Sequence, residues 1–133
     1  MSRHHLETCL GEFARGTRPL ADLEQCLRGN VRLSFWDTNE RRATPLTNLP
    51  RVEFTRRDVD AQLQRYLASD LSAQDLSDWA AAMRLLGCFV LDEDDQASSQ
   101  IWDLIDEIMS PDAWGPITVD SVINLRSRLD EVR

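Results

Sequence analysis

Apolar residues recur every three or four positions over most of the chain, the spacing that places them on one face of a helix. Two such stretches lie before residue 30 and four more follow residue 55. Three of the later stretches follow a hydroxyl residue suited to N-capping, namely Thr55, Ser72 and Thr118. The other, from about 98 to 109, is strongly amphipathic and ends at Ser110-Pro111. The pattern predicts a mainly α fold of about six helices in antiparallel hairpins.

The helical period disappears between residues 31 and 55. The segments 31–35 and 52–55 instead alternate apolar and polar residues, which is typical of strands. The intervening sequence TNERRATPLTNLP has the composition of an exposed loop. We expect the two segments to pair as a small β-hairpin or to remain extended arms over the core. A further apolar run at 88–91 is compatible with a strand or with a buried exit from the preceding helix.

One hairpin pattern occurs twice along the chain, at a constant offset and without a gap. Leu10, Phe13 and Gly16 fall on Leu63, Tyr66 and Ser69, and an Asp-Leu pair follows in both copies. Each copy predicts a helix, a tight polar turn and a second helix. Duplication of one hairpin would explain this, and so would the general likeness of helical hairpins.

The length of 133 residues fits one domain with a single hydrophobic core. Within a domain at 1–133 we expect an N-terminal helical hairpin at 1–30, an extended or loop segment at 31–55 and a helical core at 56–133. Leu76, Trp79 and Trp102 lie on apolar helical faces, so we expect all three in the core.

The chain is acidic, with a formal net charge of −8 and a pI near 4.7. Nucleic acids and anionic membranes require a cationic surface, so neither is expected as a direct partner. A basic protein is the natural partner of such a surface. No apolar stretch approaches the roughly 20 residues that span a bilayer, and no leader segment is apparent, so we expect a cytoplasmic protein.

The sequence contains no recognisable catalytic or cofactor motif. The five glycines form no phosphate-binding loop, and no nucleophile elbow or zinc-protease helix is present. The three cysteines are far apart and odd in number, so we expect reduced core residues rather than disulfides or a zinc site. His4 and His5 have no third ligand nearby in the sequence. We therefore predict no metal, no cofactor and no enzymatic activity.

The segment 92–120 concentrates negative charge, with nine acidic residues and no Lys or Arg. Its apolar stripe occupies one helical face, which leaves the carboxylates on the opposite face. Trp114 follows in a turn between two prolines and is a candidate anchor for a partner. We predict that the partner-binding surface consists of Asp92, Glu93, Asp94, Asp95, Asp103, Asp106, Glu107 and Trp114. The alternatives are that the acids are an ordinary solvated face and that Trp114 packs back onto the core.

From residue 55 to about 130 the chain reads TxxDVxxxLxxYLxxxLSxxDLxxWA, an acidic link, IWDLIDEIMxPxxxGPIT and a final helix. This order resembles the small helical immunity proteins that bacteria produce beside their own secreted or contact-delivered toxins. The motifs are mostly capping and core positions, and the part of the chain before Thr55 lies outside the resemblance. It implies a non-catalytic protein that binds one toxin domain, often a basic nuclease, through an acidic surface.

Two functional hypotheses follow. The first is a toxin-neutralising immunity protein that acts through the acidic segment. The second is a helical adaptor or regulatory subunit that binds another protein through its arginine-rich segment at 41–57. The arginines of that segment are Arg41, Arg42, Arg51, Arg56 and Arg57.

Overall fold

The computed structural model describes residues 3–27, 31–34, 42–45 and 49–133. Within these ranges the chain forms seven helices and four short strands. The helices are α1 (Arg3–Ala14), α2 (Leu20–Leu27), α3 (Arg56–Leu67), α4 (Ala73–Leu85), α5 (Asp95–Met109), α6 (Pro111–Trp114) and α7 (Val119–Glu131). The strands are β1 (Val31–Ser34), β2 (Arg42–Pro45), β3 (Val52–Phe54) and β4 (Phe89–Leu91). The prediction of a mainly α fold with a small β element is confirmed, and the additional helix is the single turn α6.

The two helical hairpins match in their bounds as well as in their sequence pattern. In the alignment of the two copies, the first and last residues of α1 fall on the first and last residues of α3. The first residue of α2, Leu20, likewise falls on the first residue of α4, Ala73. Their turns also correspond, because Gly16 and Ser69 both adopt the left-handed conformation, with φ of 82° and 65°. Each hairpin therefore reverses direction at the same position.

Side-chain caps define where the later helices begin. Ser72 Oγ accepts a hydrogen bond from the Asp75 N–H at 3.0 Å, and Thr118 Oγ1 accepts one from the Ser121 N–H at 3.1 Å. Helix α5 begins before the predicted residue 98 because the Asp94 carboxylate accepts from the Ala97 N–H at 2.8 Å. A carboxylate cap satisfies a backbone donor and opposes the positive end of the helix dipole.

The two segments that we expected to pair as a hairpin or to remain extended both form strands, but they do not pair with each other. The segment 31–34 forms an antiparallel pair with β2, and 52–54 forms a parallel pair with β4. Parallel strands need a long crossover, and the α3–α4 hairpin supplies it between β3 and β4. The expected exposed loop therefore contains strand β2, while its residues at 38–41 and 46–48 lie outside the described ranges.

One hydrophobic cluster joins all the described helices except α6. Leu76 and Trp79 are buried in it, as predicted. Trp102 is only half-buried, so its predicted place in the core was wrong. Its ring instead covers the edge of the core, with Phe54 on one side at 5.4 Å between ring centroids and the Arg84 guanidinium 5.1 Å from its ring centroid.

The prediction that all cysteines are free was wrong for two of them. The α1–α2 hairpin brings Cys9 and Cys26 together, with their Cα atoms 6.7 Å apart, and they form a disulfide. Which residues of two facing helices come into contact cannot be read from the number of residues between them in the sequence. Cys88 is a buried free thiol, and burial raises its pKa to about 11.

An ion pair fastens α7 to α3. Arg126 Nε donates to Asp60 Oδ1 at 2.8 Å, and Gln64 also donates to this carboxylate. The hydrogen bond from Arg126 is the main reason that the pKa of Asp60 lies below its ordinary value, against an opposing effect of burial.

We expect the contribution of Asp60 to stability to disappear in acid. Because its pKa is lowered on folding, the contribution is complete above the ordinary aspartate pKa of about 3.9 and declines as the pH falls through the lowered value. At pH 7, Asp60→Asn should lower the free energy of unfolding by about 1 kcal/mol or less, since the pair is partly exposed. Denaturant titrations of both proteins from pH 7 to pH 2 measure the difference, which should shrink below about pH 4. A difference that stays constant over this range would contradict the assignment.

Candidate protein-binding surface

Four carboxylates form an exposed set along the start and the outer face of α5. We call this set the acidic stripe; it consists of Asp92, Asp94, Asp95 and Asp103, all of which are exposed. Asp92 is held by its backbone, whose N–H donates to the Phe54 carbonyl at 2.9 Å. Within the described part of the chain, none of the four forms an ion pair. Their charge therefore faces solvent.

Three other acidic residues of the predicted surface are paired with arginines. Glu93 accepts from Arg56 at 2.8 Å, Asp106 lies 3.2 Å from Arg84 Nε, and both oxygens of Glu107 accept from Arg128. The prediction that they form part of an unneutralised surface needs correction. The arginines come from α3, α4 and α7, so no inspection of the acidic segment alone reveals them.

Asp106 belongs to the packing between α4 and α5. Its carboxylate is partly buried, and this desolvation raises its pKa; Arg84 opposes the shift, while Asp103 adds to it. Arg84 Nε lies close enough to Asp106 Oδ1 for an ion pair, but no aligned hydrogen bond reaches this buried oxygen from a described residue. Changes at Asp106 should therefore affect folding as well as charge, unlike changes at Asp103.

The arginine-rich segment is less available for binding than its composition indicates. Arg56 donates from Nη1 to the carbonyl oxygens of Leu129 and Val132, at the end of α7, in addition to its pair with Glu93. This guanidinium therefore joins the start of α3, the end of α7 and the β4–α5 connection. Arg51 and Arg57 are exposed. Arg41 and the side chain of Arg42 lie outside the described residues.

Trp114 is the most exposed large hydrophobic residue of the described chain, with 65% of its surface accessible. It ends the single turn α6, where Pro111 occupies the first position. Val119 and Ile123, one turn apart on α7, are exposed by 54% and 52%. We call these three residues the apolar patch, of which Val119 and Ile123 lie on α7 and Trp114 precedes that helix along the chain. The alternative in which Trp114 packs onto the core is wrong.

The neighbours of the apolar patch along the chain are acidic or neutral. Asp112 and Asp120 are both exposed, and no arginine occurs between Asp92 and Leu125. The exposed apolar groups and the nearby exposed carboxylates make this part of the chain a candidate interaction surface.

A cavity of about 350 Å³ lies at the turn of the first hairpin, between α1, α3 and α4. It is lined by two buried polar side chains that the sequence did not indicate, Gln62 and Asp78. Trp79 Nε1 donates to the Phe13 carbonyl at 3.2 Å, and Arg65 donates to the Gly16 carbonyl. These bonds attach the first hairpin turn to the second hairpin, which gives the cavity walls a structural role.

Comparisons of the chain with protein-family models, with curated proteins and with solved structures found no match. The resemblance to immunity proteins therefore stays a prediction based on the motifs quoted above. The longest of the described helices, α5, has 15 residues. None of the described helices is both long enough and apolar enough to span a membrane.

Proposed function

We propose that this protein is an immunity protein that binds and neutralises a basic toxin domain in the cytoplasm. The observation that carries the proposal is the exposure of Trp114 in a segment that contains exposed carboxylates and, between Asp92 and Leu125, no arginine. The apolar patch would supply the anchor of the contact, and the acidic stripe would attract and orient the partner. A basic nuclease suits such a surface, because clustered carboxylates can occupy a site that normally holds phosphates.

The two surfaces contribute different parts of the binding energy. A tryptophan buried at the centre of an interface commonly contributes about 2 kcal/mol or more, because it covers a large area at a low cost in side-chain entropy. Exposed charges act mainly on the association rate. Along α5, Asp95 and Asp103 lie two turns apart, about 12 Å, on one exposed face. This spacing allows contact with more than one cationic group of a partner.

We expect Trp114→Ala to weaken binding to the toxin by roughly 30-fold or more, equivalent to about 2 kcal/mol. The toxin used in the test would be a basic protein encoded beside the gene for this chain. It would be expressed from an inducible promoter with this protein or the variant, and growth would report neutralisation. Calorimetry with an inactivated toxin would give the affinity. The thermal stability of the variant should match that of the parent, because Trp114 is mostly exposed.

A double variant, Asp92→Lys with Asp103→Lys, tests the contribution of the acidic stripe in the same experiment. The association rate at low salt should fall and its salt dependence should weaken. Arg51→Ala is the matched control on the arginine-rich segment and should bind like the parent. Unchanged binding by Trp114→Ala together with a loss in Arg51→Ala would reject the proposal and favour the adaptor hypothesis.

A further inference from the structure

The α1–α2 hairpin collects three potential metal ligands that are separated in the sequence. His5 and Cys9 lie one turn apart on α1, and Cys26 lies near the end of α2. Their ligand atoms all lie within 4.8 Å of one another, and His5 Nε2 is 3.7 Å from Cys9 Sγ. This cluster shares no residue with the acidic stripe or the apolar patch, so its role is independent of the proposed function.

Two thiolates and an imidazole are characteristic ligands of Zn²⁺. We propose that the reduced protein binds one Zn²⁺ through Cys9, Cys26 and His5, and that the disulfide and the metal are alternative ways of closing the same hairpin. Three protein ligands leave one position of a tetrahedral site for water or another ligand.

The geometry requires only small side-chain movements. Thiolates bound to one tetrahedral Zn²⁺ lie about 3.8 Å apart, and a thiolate and an imidazole nitrogen about 3.5 Å apart, given bonds of roughly 2.3 and 2.0 Å. The distance from His5 Nε2 to Cys9 Sγ already fits. The Cα separation of Cys9 and Cys26, 6.7 Å, lies near the upper end of the range for disulfides, so rotation of the side chains can separate the sulfurs without backbone movement.

Burial and charge also suit a metal ion. Cys9 and Cys26 are buried while His5 is exposed, so the ion can enter from the histidine side and keep its open position toward solvent. Two thiolates balance the charge of Zn²⁺. Arg18 Nη1 lies 3.8 Å from Cys26 Sγ, and Glu12 balances the charge of Arg18 at 3.1 Å. The complete group is therefore neutral.

The conversion of the disulfide form into the zinc-bound form follows ordinary thiol chemistry. A cellular dithiol transfers two electrons and two protons to the Cys9–Cys26 bond, which breaks into two thiols as the dithiol becomes a disulfide. Zn²⁺ then displaces the two thiol protons. Since the cytosol keeps most thiols reduced, a cytoplasmic protein would present the metal-binding form.

The test is a zinc titration of the full chain in both redox states. The protein would be reduced with a phosphine, freed of reductant without air, and titrated against a chromogenic zinc chelator. The reduced protein should bind one Zn²⁺ per chain and the oxidised protein none. Substitution of Co²⁺ for Zn²⁺ should produce thiolate-to-cobalt absorption in the reduced protein alone. Reduced wild-type protein that takes up no zinc would overturn the proposal.

Variants identify the ligands. His5→Ala should weaken zinc binding by more than about tenfold, since even loss of an outer-shell partner has an effect of that size. Cys26→Ser should remove the cobalt absorption of the paired thiolates. His4→Ala and Cys88→Ser are matched controls that should bind like the wild type. Unchanged affinity in His5→Ala, or a loss in His4→Ala, would contradict the site.

Discussion

Replacing Phe54 with alanine should lower the free energy of unfolding by about 3–5 kcal/mol, the range for removing a fully buried aromatic ring. Phe54 is 1% exposed and lies on β3 between two other aromatic residues. Its ring centroid is 6.4 Å from that of Phe89 on β4 and 5.4 Å from that of Trp102 on α5. The substitution removes the group that joins the parallel strands to α5, and the surrounding helices can fill the space only in part.

Chemical denaturation, followed both by tryptophan fluorescence and by a measurement of helix content, would give the free energy of unfolding of each protein. Glu53→Ala is the matched control, because Glu53 occupies the same strand with its side chain exposed. This variant should stay within about 0.5 kcal/mol of the wild type. Equal stabilities of the two variants would show that Phe54 does not link β3 to the core.

Gly16→Ala should lower the free energy of unfolding by about 2–5 kcal/mol, the sum of a conformational cost and a crowding cost. The backbone at Gly16 is left-handed, with φ of 82°, which costs an alanine roughly 1–2 kcal/mol. An added Cβ would also lie 1.7 Å from Gln62 Nε2 and 2.9 Å from Arg65 Nη1. Gln62 is only 1% exposed, so its side chain must shift within the protein, toward the cavity that it lines, and overpacking of this kind costs about 1–3 kcal/mol.

Gly87→Ala separates the two causes. Gly87 is also left-handed, with φ of 69°, but an added Cβ there meets no atom within 4 Å. Gly87→Ala should therefore lower the free energy of unfolding only by the conformational cost, about 1–2 kcal/mol. In a double-mutant cycle, Gln62→Ala should reduce the cost of Gly16→Ala by relieving the contact. Equal costs of Gly16→Ala and Gly87→Ala would rule out crowding by Gln62.

These two residues show why the N-terminal hairpin and the small sheet depend on distant parts of the chain. Gly16 lies in the turn of the first hairpin, which is pressed against α3, and Phe54 belongs to a strand whose partner follows α4. Both features connect the part of the chain before Thr55 to the helices that follow it. A functional test should therefore use the full chain.

The candidate surface was predicted in part. Asp92, Asp94, Asp95, Asp103 and Trp114 are exposed, as expected for a partner-binding surface. Glu93, Asp106 and Glu107 instead form ion pairs with Arg56, Arg84 and Arg128. Local composition identifies where negative charge is concentrated. It does not reveal which carboxylates are neutralised by arginines on other helices.

The sequence by itself determined what depends on neighbouring residues along the chain. Apolar spacing defined the helical faces, Ser72 and Thr118 capped their helices as predicted, and the repeated turn chemistry at Gly16 and Ser69 marked two equivalent hairpins. These features follow from hydrogen bonds and side-chain positions within a few residues, so a linear pattern contains them.

Only the tertiary structure decided which distant groups meet. It paired β3 with β4 in parallel, left Trp102 half-buried, exposed Trp114, and brought Cys9, Cys26 and His5 to one point. Strand partners, ion pairs and metal ligands depend on the relative positions of whole helices, which are set by the burial of their combined apolar faces. Many sequences have the same spacing of apolar residues but different tertiary contacts. These contacts therefore depend on how the helices pack against one another.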